Sequence, residues 1–325
     1  MAAYTPRIHV GIGGWNYAEW RGGAFYPAGL PQAQELHYAS RALTGLEVNA
    51  TFYSTQKPAT YARWRDETPE GFVFAVKAHR LATQRKTLAE GAEAVVHFLE
   101  SGVTELRDRL GPIVWQLPPF RRFDGDDVEC FLALLPDAVD GLPLRHVLEP
   151  RHASFACADY VRLARSYGVA TVYTDSPDYP NIADPTADFV YARLMRSQPG
   201  EATGYPPRAL DQWAARVRCW ASADGLFGLE HGATAQRSAA GPMSMRRPCG
   251  STRRAALPQP RLRASAICSA GRRYSTMLCS NCSAMPGAYC DTSSRCAVGS
   301  WSIMRRLTFT SVMRTAPSCM SKRRP

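Results

Sequence analysis

Between Ile8 and Met195 the chain alternates short apolar runs with amphipathic stretches, and no other feature of the sequence restricts the fold as much. The runs are Ile8–Trp15, Leu46–Tyr53, Phe72–Ala78, Ile113–Leu117, Arg145–Glu149, Ala170–Asp175 and Phe189–Met195. They are rich in Val, Ile and aromatics and are bounded by Gly, Pro or polar residues, so they read as strands. Helical spacing marks the stretches near Leu30–Ala42, Pro58–Glu67, Thr87–Leu106, Asp126–Leu135, Asp159–Tyr167 and Pro207–Ala221. Pro58 and Pro207 suit a first helical turn, where the missing N–H costs nothing. Strand–helix alternation predicts parallel strands joined by right-handed crossovers. One connection differs: Ser176–Asp188 holds Pro177, Pro180 and Pro185, so it is expected to be a long loop.

Seven such strands point to an α/β fold of TIM (β/α)8 type, with a doubly wound sheet as the rival. The first run ends Gly11-Ile12-Gly13-Gly14. That spacing is not G-x-G-x-x-G, and Trp15 and Tyr17 stand where a phosphate-binding helix should begin, so a dinucleotide site is discounted. No cofactor is expected.

Composition divides the chain. Residues 1–222 carry 23 Lys/Arg and 25 Asp/Glu, whereas residues 223–325 carry 16 Lys/Arg and 3 Asp/Glu. The overall net charge of +11 therefore comes from the second part. Seven of the ten cysteines lie there too. The expected organisation is a barrel over residues 1–225 and a basic, irregular tail over 226–325. No run of about 18 apolar residues exists and Met1–Val10 lacks an apolar signal core, so the chain is expected in the cytoplasm, off the membrane.

Parity within the runs locates candidate chemistry. A strand in a barrel is buried on both faces and should be apolar throughout. Here one parity turns polar toward the C-terminal ends: Glu47, Asn49 and Thr51; Lys77; Gln116; Glu149 and Arg151; Tyr173 and Asp175; Tyr191 and Arg193. Burying these groups costs several kcal/mol, on the order of 2–7 for each unpaired group, unless they pair or line a wet cavity. In a barrel the C-terminal mouth is where sites are built.

The chain also resembles a known family. Gly13-Gly14-Trp15-Asn16-Tyr17 with Trp20, Phe25-Tyr26-Pro27, Glu47-Val48-Asn49-Ala50-Thr51-Phe52-Tyr53, Trp115-Gln116-Leu117-Pro118-Pro119 and Glu149-Pro150-Arg151-His152-Ala153-Ser154-Phe155 occur in the order of the domain of unknown function 72, or YecE-like, family. The resemblance runs over roughly residues 8–221. It implies a TIM barrel with a pocket at the strand C-termini, and supplies no reaction. The chain departs from the family at His79, commonly a small residue, and at Gln84, often a His. Nothing after Trp220 looks like the apolar, aromatic strand that closes the family's barrel. The barrel is therefore expected to be incomplete at its eighth strand, to leave two unpaired edges and to fold poorly.

Three readings compete for the tail. Its charge would attract phosphates, giving nonspecific nucleic-acid binding, but its arginines are scattered in pairs. Cys279 and Cys282 form a C-x2-C pair, but no second pair accompanies them, so no zinc site is expected. A reading-frame change explains both the compositional break and the missing strand, and it is the reading preferred.

For function, Glu47, Glu149, Asp175 and His152 are the candidate acid–base groups. Trp15, Asn49, Tyr53, Lys77, Gln116, Arg151, Tyr173 and Arg193 are the candidate ligand-binding groups. Arg151 suits a carboxylate or phosphate, and paired carboxylates suit sugar chemistry. The competing reading makes these charges structural ion pairs. A metal held by Glu47, Glu149, His152 and Asp175 is disfavoured by the neighbouring cations. The expected partner is a small polar ligand, anionic or sugar-like. It is bound either for catalysis or, in the alternative, by a barrel that recognises it without chemistry. A strongly raised carboxylate pKa would favour catalysis, and fully paired charges would favour recognition alone.

Overall fold

The computed structural model describes residues 7–198, 201, 203–221 and the backbone of Tyr274–Cys279. Seven parallel strands come from the body: β1 (Arg7–Gly13), β2 (Gly45–Val48), β3 (Val73–Lys77), β4 (Leu110–Gln116), β7 (His146–Glu149), β8 (Ala170–Thr174) and β9 (Val190–Leu194). A small hairpin, β5 (Ala138–Val139) with β6 (Leu142–Pro143), lies between β4 and β7. The strands pair in chain order, β1-β2-β3-β4-β7-β8-β9, and curl into an α/β sheet of TIM type. Helices α1 (Glu35–Ala42), α3 (Pro58–Glu67), α4 (Ala92–Glu100), α5 (Gly125–Leu132), α6 (Ala158–Ser166) and α7 (Pro207–Ala221) fall between or after them. A four-residue helix, α2 (Ala50–Tyr53), follows β2 directly.

Among the described residues the strand–helix repeat ends with α7, one unit short of eight. The seam differs from expectation. Tyr274–Cys279 forms β10, parallel to both neighbours: Arg7 faces Tyr274 and Ile12 faces Cys279 on one side, and Ser275 faces Val190 and Cys279 faces Leu194 on the other. The backbone ring is thus closed by a segment of the tail, and the expected unpaired edges of β1 and β9 are filled. The run Tyr-Ser-Thr-Met-Leu-Cys combines aromatic, β-branched and apolar residues, which favour strands. The other residues that carry the nucleic-acid and zinc readings lie outside the described residues.

Local chemistry explains the other departures. The first run was expected to reach Trp15, yet β1 ends at Gly13 because Gly14 takes a left-handed φ of +80°. A Cβ there would stand 2.7 Å from the Tyr17 hydroxyl, which donates to the Gly13 carbonyl. The second run was expected to reach Tyr53. It leaves the sheet at Val48, so Asn49 and Thr51 are not strand residues. The helix expected over 87–106 is broken after α4, where Gly102 adopts φ +95° against Pro58. Asp140-Gly141, both at positive φ, form the turn of the β5–β6 hairpin. The proline-rich segment 176–188 contains no helix.

Candidate functional site

The lumen is built in layers. Ala75, Val114, Val147, Ala170, Val172 and Tyr191, from β3, β4, β7, β8 and β9, form one buried cluster with Phe189, which precedes β9. Their strand neighbours Phe74, Val76, Ile113, Trp115 and Leu148 belong to the outer core under the helices. The first set therefore faces inward. Side chains return to the same face every two residues, so the next inward positions are Lys77, Gln116, Glu149, Thr174 and Arg193, at the C-terminal ends. Glu47 from β2 joins them, and all six are buried.

An ion network fills this mouth. Arg193 donates through Nη2 to Glu47 Oε1 at 2.9 Å and through Nη1 to Glu149 Oε2 at 2.5 Å. Arg151 donates through Nε and Nη2 to Glu149 Oε1 at 3.0 and 2.7 Å. Its guanidinium lies 4.5 Å over the Tyr179 ring. Tyr191 donates its hydroxyl to Glu47 Oε2 at 2.6 Å. Buried ions are tolerated only when their remaining hydrogen-bonding capacity is met, and both carboxylates have each oxygen engaged. Lys77 is different. Its Nζ is 4.0 Å from Glu47 Oε1 and 5.3 Å from the Phe52 ring centre, and among the described residues no hydrogen bond reaches it. Among the described residues the count at the mouth is Lys77, Arg151 and Arg193 against Glu47 and Glu149, an excess of one positive charge.

Protonation follows from these contacts. Burial would raise the Glu149 carboxyl, but Arg193, Arg151 and Lys77 outweigh it and hold the group down to about 2. Burial, then the Arg193 charge, lower the Lys77 amine to about 8 against the upward pull of Glu47 and Glu149. Burial and the Glu47 charge push the Tyr191 phenol well up, so it stays a donor. Among the described residues, Arg193 Nε and Asn49 Oδ1 are buried without a hydrogen-bond partner, as are six atoms outside this cluster. Leaving such an atom unmet costs about 1–3 kcal/mol.

The structure thus brings together Glu47, Lys77, Glu149, Arg151 and Arg193, with Gln116 on the same inward parity; Asn49 follows β2 at the N-cap position of α2. Others lie elsewhere. Asp175 accepts from the Met195 N–H at 2.6 Å and the Tyr205 hydroxyl at 2.9 Å. Burial raises its carboxyl against those two bonds. It lines a separate cleft of about 300 Å3 with Arg196, Gln198, Tyr205, Trp213 and Arg216. Tyr173 points outward, packing on Trp213 and Trp220 of α7. The inward parity of β8 therefore belongs to Val172 and Thr174, opposite to expectation. His152 caps the turn Ala153–Phe155, its Nδ1 meeting the Ser154 N–H and hydroxyl. His79, the departure noted in sequence, caps Arg80–Ala82 in the same way. Trp15 packs edge-on against Trp64 and Phe74, in the outer layer. Tyr53 is 61% exposed on the helix after β2. Thr174 and Tyr179 were not among the expected site residues, and Tyr191, although on the expected polar parity, was assigned no role. Tyr191 shares the parity of Arg193, which was the available signal.

Among the described residues no group of three or more His, Cys, Asp or Glu is arranged to hold a metal ion. No described helix is long and apolar enough to cross a membrane.

Comparison with known proteins adds a family context. The family model described as "Protein of unknown function DUF72" matches residues 9–263, past residue 221, where the sequence motifs end. UPF0759 protein YecE of Escherichia coli K12 is 29% identical over 111 residues, which are 34% of this chain and 38% of that protein. UPF0759 protein YunF of Bacillus subtilis is 27% identical over 118 residues, 35% of this chain and 40% of that protein. The chain thus aligns with well under half the length of these relatives. A DUF72 family protein (TM1631) from Thermotoga maritima has a similar structure, with TM-score 0.61 and 17% identity over 93% of this chain and 99% of that one. Another (EF0366), from Enterococcus faecalis, gives TM-score 0.56 and 12% identity over 94% and 99%. At these identities the likeness concerns the fold.

Proposed function

We propose, for a chain that belongs to the DUF72 family, that the mouth of the barrel binds a small polar anion, held by Arg151 and Lys77. The excess of one positive charge in a buried ion network carries this reading. A ligand carboxylate or phosphate would balance it, and Arg151 offers the planar fork such groups favour. Arg193 Nε and Asn49 Oδ1, unpartnered among the described residues, would be a donor and an acceptor available to such a ligand.

Fully paired carboxylates favour recognition over acid–base chemistry by Glu149. With its carboxyl at about 2, Glu149 has no proton to give near neutral pH. It anchors Arg151 and Arg193 instead. Of the other expected acid–base groups, His152 caps a turn and Asp175 belongs to the separate cleft. Only Glu47, bridged to Lys77 and Tyr191, keeps a role in moving protons.

Titration calorimetry of the full chain with inorganic phosphate and with pyruvate tests the reading. Arg151→Ala should weaken binding about tenfold or more, by loss of a charge-assisted contact of about 1.5–3 kcal/mol. Arg151→Lys should recover only part of it, because an ammonium lacks the fork. Equal affinity in Arg151→Ala, or no binding of either anion by the unaltered chain, would contradict the proposal.

A further inference from the structure

We infer that Lys77 is a carbonyl-reactive amine, which forms an imine with a small carbonyl compound whose anionic group is held by Arg151. This rests on the anion-binding reading of the same mouth and adds a covalent step to it.

The residue choice is the first argument. The chain uses 35 Arg and only 4 Lys, namely Lys57, Lys77, Lys86 and Lys322. Lys57 and Lys86 are exposed, and Lys322 lies outside the described residues. For a buried ion pair Arg is the better partner, since its fork meets a carboxylate with two bonds. Arg193 and Arg151 already do this for Glu47 and Glu149. A lysine beside them contributes what arginine lacks, an amine that can lose its proton.

Geometry is the second argument. Lys77 is 3% exposed at the end of β3, yet no hydrogen bond holds its Nζ among the described residues. Glu47 Oε1 is 4.0 Å away, and the centre of the Phe52 ring is 5.3 Å away. Desolvation and an adjacent cation are the two conditions that activate amine nucleophiles, and Arg193 bonded to the same Glu47 oxygen supplies the cation. The lowering of the amine to about 8 agrees with both.

The step balances without an oxidant or reductant. The ammonium gives one proton to Glu47 or solvent. The nitrogen lone pair forms the C–N bond while the carbonyl π pair moves to oxygen, which takes up a proton. Loss of the remaining proton from nitrogen and of the hydroxyl as water leaves the C=N bond. The Tyr191 hydroxyl, bonded to Glu47 at 2.6 Å, joins this proton path. The compound is either an oxo acid or a phosphorylated carbonyl; both present an anion beside a carbonyl carbon.

The test is reductive trapping on the full chain. The protein is incubated with pyruvate or, separately, with glycolaldehyde phosphate, reduced with sodium cyanoborohydride, and mapped by peptide mass spectrometry. Labelling of Lys77 about tenfold or more above exposed Lys57 and Lys86 is expected, and loss of that label in Lys77→Arg. Pyruvate labelling assigns a carboxylate ligand, and glycolaldehyde phosphate labelling a phosphate. Uniform labelling of the lysines, or none at Lys77, overturns the inference. If calorimetry shows Arg151-dependent binding of pyruvate or phosphate in the same preparation, imine formation fails alone. If neither anion binds, the anion reading fails with it.

Discussion

Glu149 holds a charge that water would otherwise solvate, and three cations keep it ionised. Its carboxyl lies at about 2 in the fold against 4.5 for an unperturbed group, with burial opposed by Arg193, Arg151 and Lys77. A carboxyl lowered on folding adds stability that is complete above the unfolded value and disappears as pH falls toward the folded one. The window is therefore pH 4.5 down to 2, and the contribution is at most about 3 kcal/mol. Urea unfolding at pH 7 should show Glu149→Gln less stable by about 3 kcal/mol or more, because Arg151 and Arg193 lose their partner. The gap between variant and wild type should shrink on acidification toward pH 3. A gap independent of pH would mean that Glu149 carries no buried charge. Parity in the sequence made most of this cluster legible, because inward polar groups at strand ends stand out in otherwise apolar runs. It misplaced Tyr173 and Asp175. In Ala170–Asp175 both faces carry a threonine, Thr171 and Thr174, so the run does not declare which parity is inward, and Asp175 lies past the strand's last residue. His152 caps the turn Ala153–Phe155, a placement the sequence did not distinguish from a catalytic one because a capping imidazole and a catalytic one look alike there.

At the scale of elements, β10 decides whether the ring has a seam. Met277 pairs with Val10 on one side and Ala192 on the other, so its backbone sits in the middle of a strand with two neighbours. Proline there removes a ladder donor and has no edge to occupy. Met277→Pro should lower the melting temperature markedly or abolish a cooperative melt, as followed by circular dichroism. An unchanged melt would show that the strand does not belong in the ring, and would return the barrel to seven strands with two open edges. The sequence concealed this strand because the tail around it has no period, and a six-residue run carries little signal alone. α3 and α7, by contrast, were legible to the residue, Pro58–Glu67 and Pro207–Ala221, since a proline marks the start of each. The split of the expected 87–106 helix was readable only from Gly102, whose left-handed turn against Pro58 ends α4.

For the whole molecule, the mouth exists only when the ring assembles. Glu47 and Arg193 are 146 residues apart in the chain, and Glu149 and Arg193 are 44 apart, yet one guanidinium bridges both carboxylates. Lys77 reports on that assembly, because burial, Arg193 and Arg151 lower its amine while Glu47 and Glu149 raise it. An amine lowered on folding favours the folded state more as pH rises from 8 toward 10.5, so the protein should gain stability across that window. The fold class follows from alternation alone, whereas the ligand does not, since the proposed preference for an anion rests on the charge of the mouth and names no compound. The most direct measurement is a 15N NMR titration of the Lys77 side chain, assigned by Lys77→Arg, with and without inorganic phosphate. A midpoint near 8, moved upward when phosphate binds, is the predicted result. A midpoint near the ordinary 10.5 that ignores phosphate would contradict both the buried cationic mouth and its role in holding an anion.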